Sequence, residues 1–143
     1  MNAPLGGGRR SGLLALLVVV AAVVFIGSVL PLPTTGGDTA VAIAGPFGVG
    51  ADKVVHAASY AVIAGLAVWG TRVRDAEYGL LGLVVIVLGV ATFGAGVEVV
   101  QSVVPGRTAS GGDAVANTVG AVVGVAVALG WWVRTRSRPT DRR

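Results

Sequence analysis

The sequence predicts an all-α fold, an integral membrane four-helix bundle with both termini on the cytoplasmic side. The chain is 54% hydrophobic and only 13% charged, where soluble domains carry about 25% charged residues. Its mean hydropathy is +0.82. The apolar residues fall in four long blocks, and the basic residues gather on one side of them. Charge this sparse cannot coat a soluble core, so the 143 residues read as a single membrane domain covering 1–143.

The first block covers about 13–30 and ends at Pro31 and Pro33. The second covers about 54–70, and the third about 79–104, closed by Pro105. The fourth covers about 113–133. Each is near the ~20 residues needed to cross a hydrocarbon core of ~30 Å. The second is the shortest and borrows Lys53 or Thr71 at its ends. Lipid offers the backbone no hydrogen-bond partners, so helix is expected despite the many valines.

Arg9 and Arg10 precede the first block, as the charged start of a signal peptide would. The apolar run is longer than the roughly 7–15 residues of such a peptide, and a retained helix is expected. The small residues Ala42 and Ala44, which look like a cleavage site, lie too far downstream. Residues 31–51 form a long loop. Its apolar part, 40–47, is too short to span and reads either as an interfacial segment or as a surface loop. The connection at 71–78 is short, so the second and third helices are expected to be antiparallel neighbours. Its Arg72, Arg74, Asp75 and Glu77 read as a solvated cap.

Orientation follows from the basic residues. Arg9, Arg10, Arg72, Arg74, Arg134, Arg136, Arg138, Arg142 and Arg143 fall on the side of the termini; only Lys53 and Arg107 fall on the other. Basic residues accumulate on the cytoplasmic side, which places both termini inside a cell membrane crossed several times. Trp131 and Trp132 then belong to the inner aromatic belt.

The stretch 98–117, EVVQSVVPGRTASGGDAVAN, closes one apolar block and opens the next. It holds Glu98, Gln101, Arg107, Asp113 and Asn117, and on this topology all lie toward the outer face. Polar groups within membrane helices are costly and call for a partner or a role. The outer part of the second block adds Asp52, His56 and Tyr60, four apart and so on one helical stripe, with Lys53 beside them. By helix rise, His56 is about 6 Å and Tyr60 about 12 Å deeper than Asp52. Asp52 and Asp113 also suit helix caps. His56 is the only histidine. Glu98 and Gln101, three apart, share a side of the third helix, and Asn117 lies one turn below Asp113. Two readings stay open for Glu98: an ion pair with Arg107, Lys53 or His56 that pins two helices, or a general acid, general base or head-group contact. His56 and Glu98 are expected within hydrogen-bond reach, directly or through one water. Gly120 and Gly124 form a GxxxG pair that lets another helix approach closely.

In order, these residues read Asp52-Lys53-x-x-His56-x-x-x-Tyr60, Glu98-x-x-Gln101-x-x-x-Pro105-x-Arg107 and Asp113-x-x-x-Asn117-x-x-Gly120-x-x-x-Gly124. The pattern resembles the VanZ-like family of small membrane proteins, named after a teicoplanin-resistance protein, over about 52–124. Ala57 stands where that family often has an aromatic after its histidine. The resemblance implies a polar site toward the outer side, not a particular reaction and not antibiotic resistance.

Three function classes stay open. In the first, an outer-leaflet pocket binds or modifies a lipid-linked or cell-envelope substrate. His56, Glu98, Asp52 and Asp113 are its candidate catalytic residues, with His56 and Glu98 moving protons. Lys53, Tyr60, Gln101, Arg107 and Asn117 are its candidate substrate-binding residues, with Lys53 and Arg107 gripping a phosphate. The second is a small proton-coupled carrier; against it, the third and fourth helices lack matched polar groups in their inner halves. The third is a structural module whose polar groups only lock helices. With no cysteine, disulfides and thiolate chemistry are excluded. A metal held by His56, Glu98, Asp52 and Asp113 is a lesser alternative with a single histidine. No metal and no cofactor are assigned. The expected partners are membrane lipids, including a phosphate-bearing head group, and no nucleic acid.

Overall fold

The computed structural model describes residues 7–30, 50–71, 79–105 and 110–136. The loop at 31–49, the connection at 72–78 and Arg107 lie outside the described residues. The regular elements are four helices: α1 (Gly7–Val29), α2 (Ala51–Thr71), α3 (Gly79–Gln101) and α4 (Gly111–Arg136). All four are long and apolar enough to cross a membrane. The chain is a multi-pass membrane protein of the all-helical class.

The helix ends differ from the sequence reading for identifiable reasons. α1 begins at Gly7, so Arg9 and Arg10 belong to the helix itself. α3 stops at Gln101, short of residue 104. Its last turn tightens instead, with Val103 N–H bonding Val100 O at 3.2 Å and Val104 N–H bonding Gln101 O at 3.1 Å. The residue before a proline is pushed out of helical geometry, and Val104 precedes Pro105. α4 opens at Ser110, whose carbonyl accepts from Asp113 N–H at 3.0 Å and Ala114 N–H at 3.2 Å. Gly50 does the same for α2, accepting from Lys53 N–H at 3.0 Å and Val54 N–H at 3.3 Å. Asp52 and Asp113 are therefore not the cap residues. Each sits inside its helix's first turn, where the positive end of the helix favours an acid.

α2 and α4 make the tightest seam. A Cβ on Gly120 would run into the carbonyl of Ala57, and one on Gly124 into that of Ala61. The GxxxG pair thus faces an Ala-x-x-x-Ala pair, and the two backbones meet. The core combines Tyr60, Ile63, Ala64 and Val68 of α2, Val90 of α3, and Ala121, Val125 and Ala128 of α4. α1 leans on it through Leu17, Val20, Ala21 and Val24 and has no buried residue of its own among those described. Outward-facing apolar residues such as Leu80, 78% exposed, and Val99, 70% exposed, would be a liability in water. In a bilayer they are the solvated face.

Arg10 Nε donates to Gly70 O at 3.2 Å, so α1 starts where α2 ends. Trp131 and Trp132 of α4 flank the same place. The start of α1 and the end of α4 therefore share one end of the bundle, here the terminal end. Asp52, His56, Glu98, Gln101, Asp113 and Asn117 lie toward the opposite end.

Candidate functional site

Asp52, His56 and Tyr60 follow one another down a single face of α2, as the four-residue spacing requires. All three line a cleft of about 450 Å³ whose far wall is Val23, Val24, Gly27 and Ser28 of α1. Asp52 is exposed, His56 half-buried and Tyr60 fully buried.

His56 Nδ1 lies 2.9 Å from Asn117 Oδ1 across the seam between α2 and α4. The amide oxygen accepts, so Nδ1 is the donor; in the neutral ring this leaves Nε2 with its lone pair. The rings of His56 and Tyr60 stack 6.4 Å apart at 12°. Tyr60 also packs against Phe93 of α3 at 6.0 Å, tilted 40°. A Cβ on Gly94 would sit 2.8 Å from Asn117 Nδ2 and 2.9 Å from Tyr60 Cε1. Gly94 is therefore the point at which α3 lets Tyr60 and Asn117 converge.

Glu98 lies one turn further along α3 and is 7% exposed. Its Oε2 accepts the backbone N–H of Ser110 at 2.9 Å. In a capping box, a glutamate on the third residue of the helix reaches back to that N–H. Here the third residue is Asp113, whose Oδ1 is 3.2 Å from Lys53 Nζ. Glu98 performs the task from the neighbouring helix. Lys53 Nζ also lies 2.9 Å from Asp52 Oδ2, so one ammonium sits between two carboxylates. Gln101 Nε2 donates to Ser28 O at 2.9 Å, meeting one of the orphan carbonyls at the end of α1.

The expected residues among those described thus come to one end of the bundle, in a different pairing, while Arg107 lies outside the described residues. The direct bond foreseen between His56 and Glu98 is absent among the described residues: His56 bonds Asn117 and Glu98 bonds Ser110. Lys53 is engaged by Asp52 and Asp113, not by Glu98. Gln101 ties α3 to α1. Three polar atoms remain buried without a partner among the described residues: Tyr60 OH, Glu98 Oε1 and Asn117 Nδ2. Burying such a group unmet is expensive, so each marks a place where water or a ligand would be welcome. No three His, Asp or Glu among the described residues stand close enough to hold a metal. Of the residues considered for a metal, Asp52 and Asp113 are engaged by Lys53.

Sequence reasoning missed Ser110, Ser28 and Gly94. Ser110 had a readable signal, since serine directly before Gly111-Gly112-Asp113 is a common helix start. Ser28 contributes only its backbone carbonyl, and Gly94 only the lack of a side chain, which no motif announces.

The VanZ/LLP1 family model matches residues 13–133, a span that takes in most of α1 and α4 and the whole of α2 and α3. No curated protein and no solved structure matches the chain. With the polar pattern of α2, α3 and α4 assembled at one end of a four-helix membrane bundle, the chain belongs to the VanZ/LLP1 family.

Proposed function

We propose that this end of the bundle is an outer-leaflet site that binds, and with His56 as base modifies, a lipid-linked substrate bearing a phosphate in its head group. The observation that carries the reading is the set of three unmet buried atoms behind the α1–α2 cleft: Tyr60 OH, Glu98 Oε1 and Asn117 Nδ2. Tyr60 and Asn117 offer donors that suit phosphate oxygens, and Glu98 offers an acceptor that suits a hydroxyl of the same head group. His56 lines the cleft and bonds Asn117, and in the neutral ring its Nε2 is available to take a proton. α1, the least embedded helix, forms the outer wall of the cleft and is the element whose displacement would admit a head group. A second groove of about 650 Å³ runs down the α2–α4 seam from Lys53 past Ala57, Ala61, Val119 and Val123. Its apolar floor suits an acyl chain. Lys53 itself is already balanced by two carboxylates, so it supports a phosphate less than the isolated residue would.

A purely structural module is favoured by one fact: His56–Asn117, Lys53–Asp113, Glu98–Ser110 and Gln101–Ser28 each join two segments. The carrier reading finds no such support, because Glu98, Gln101, Asp113 and Asn117, the buried polar residues among those described, all lie toward this end.

Titration of purified protein with dioctanoyl phosphatidic acid separates these readings. Saturable binding that weakens in Tyr60→Phe and Glu98→Gln while both variants stay folded supports the site. Binding identical in wild type and both variants removes it.

A further inference from the structure

All three tryptophans of the chain line one cleft at the terminal end of the bundle. Trp69 comes from the last turn of α2, and Trp131 and Trp132 from α4. Arg9, Arg10 and Leu13 of α1 and Thr135 of α4 complete the lining, around a volume of about 370 Å³. This is within the size range of small-ligand sites, roughly 300–1,000 Å³. It is far from His56 and Glu98 and plays no part in the function proposed above.

Two features make it more than an aromatic belt with basic neighbours. First, Arg10 is held. Arg10 Nε donates to Gly70 O at 3.2 Å, which fixes one edge of the guanidinium and leaves the Nη fork without a hydrogen bond among the described residues. Gly70 permits the seat: a Cβ there would be 2.9 Å from Leu14 Cδ2, so the start of α1 lies close against the end of α2. Second, no carboxylate among the described residues lies near the cleft: Asp52, Glu98 and Asp113 are all at the opposite end, and Asp75 and Glu77 of the 72–78 connection fall outside the described residues. A positive, aromatic-walled cleft at the level of the head groups has the chemistry of an anionic lipid site.

We propose that this cleft binds the phosphodiester of an anionic glycerophospholipid, in the leaflet at the terminal end. The Arg9 and Arg10 guanidinium groups take the phosphate oxygens, a task to which their planar forks are matched. The indoles of Trp69, Trp131 and Trp132 flank the glycerol region, where amphipathic rings settle. A choline head group carries the same phosphodiester but no net negative charge to balance the two arginines, and a choline held against the indoles would show as equal quenching by the two lipids.

The tryptophans supply the readout, since all of the chain's indole fluorescence arises at this cleft. The full chain is reconstituted in phosphatidylcholine vesicles and quenched with increasing brominated phosphatidylglycerol or, separately, brominated phosphatidylcholine. About a 25-fold preference for phosphatidylglycerol is expected, since each of the two arginines near an anionic surface contributes roughly fivefold. The preference should disappear in Arg9→Gln/Arg10→Gln, with the helical content of the variant unchanged. It should survive in Arg134→Gln, which alters charge nearby but outside the cleft, and in Tyr60→Phe at the other end. Equal quenching by the two lipids overturns the proposal. So does an equal loss in Arg134→Gln, which would mean diffuse surface charge. Displacement of the lipid by millimolar glycerol phosphate would reassign the cleft to a soluble phosphate and overturn it as well. Should Arg9→Gln/Arg10→Gln fail to fold, Arg9→Lys/Arg10→Lys keeps the charge but not the fork; an undiminished preference there overturns the role assigned to the guanidinium groups.

Discussion

Glu98 of α3 caps a helix to which it does not belong: its Oε2 accepts the backbone N–H of Ser110, 2.9 Å away, where α4 begins. The bond joins two halves of the polar stretch that the chain separates by the Pro105 turn. It also divides the carboxylate into two parts. One oxygen is structural, and the other, Oε1, is buried without a partner among the described residues.

Substitution at 98 should therefore split by type. Glu98→Ala strands the Ser110 N–H and should destabilise the bundle by about 1–3 kcal/mol, the usual cost of an unmet buried donor. Glu98→Gln keeps an amide oxygen for Ser110 and should cost much less. Thermal unfolding of both variants in detergent measures this. Equal losses would mean that the charge, and not the cap bond, holds α4 in place.

The α2–α4 seam allows a sharper contrast among glycines. Gly124→Val would drive a side chain into the Ala61 carbonyl, and overpacking of this kind costs about 1–3 kcal/mol or more. Gly96, on α3, has nothing within 4 Å of the position a Cβ would take. Gly96→Ala should be neutral or slightly stabilising, since alanine is the better helix former by up to about 1 kcal/mol. A Gly124→Val variant that melts like wild type would show that the two helices do not meet at this seam.

These contrasts also show what was legible before the structure. Block length and hydropathy gave four spans, because crossing lipid permits little else to a chain this apolar. Spacing gave the Asp52–His56–Tyr60 stripe and the Gly120–Gly124 contact, since helical periodicity fixes which residues share a face. Pairing was not legible. Asp52, Lys53, His56, Glu98, Asp113 and Asn117 admit many pairings with similar chemistry, and only the rotation of each helix chooses among them. Lys53 reaches Asp113 and His56 reaches Asn117 because the glycine seam sets α2 against α4. Glu98 is left for Ser110. Gln101, read as a substrate contact, is turned toward α1 by the same geometry.

Gln101 should accordingly behave as a helix tie. Gln101→Ala removes its bond to Ser28 O and leaves that carbonyl to water or lipid. Interhelical hydrogen bonds in membranes are worth about 0.6–2 kcal/mol, so a loss of that size is expected in unfolding experiments. Binding of dioctanoyl phosphatidic acid should be unchanged once the folded fraction is matched. Weaker binding at matched folding would return Gln101 to the site.

Orientation is tested by reporter fusions. The nine basic residues on the side of the termini, against two on the other, favour a cytoplasmic terminal end. Reporters joined after Arg74 and after Arg143 should read cytoplasmic, and one placed between Thr35 and Gly36 external. An external reading after Arg143 would move the His56–Glu98 end to the cytoplasmic leaflet and rule out an outer-surface substrate.

Tyr60 separates a site from a scaffold most directly. Its ring is fully buried between His56 and Phe93, and its hydroxyl has no partner among the described residues. A hydroxyl that serves only packing in that position is a burden, and replacing it with hydrogen should be neutral or stabilising. Tyr60→Phe keeps the ring and both aromatic contacts, so any change in ligand binding cannot be blamed on lost packing. The expected outcome is an unfolding temperature equal to or above that of wild type, together with weakened binding of dioctanoyl phosphatidic acid. Residues retained for function commonly show this opposition between stability and activity. A destabilised Tyr60→Phe would mean that the hydroxyl has a structural partner after all, such as a bridging water. A stabilised variant with full binding would leave the hydroxyl without a role in ligand recognition, and the proposed site would lose one of its two buried donors.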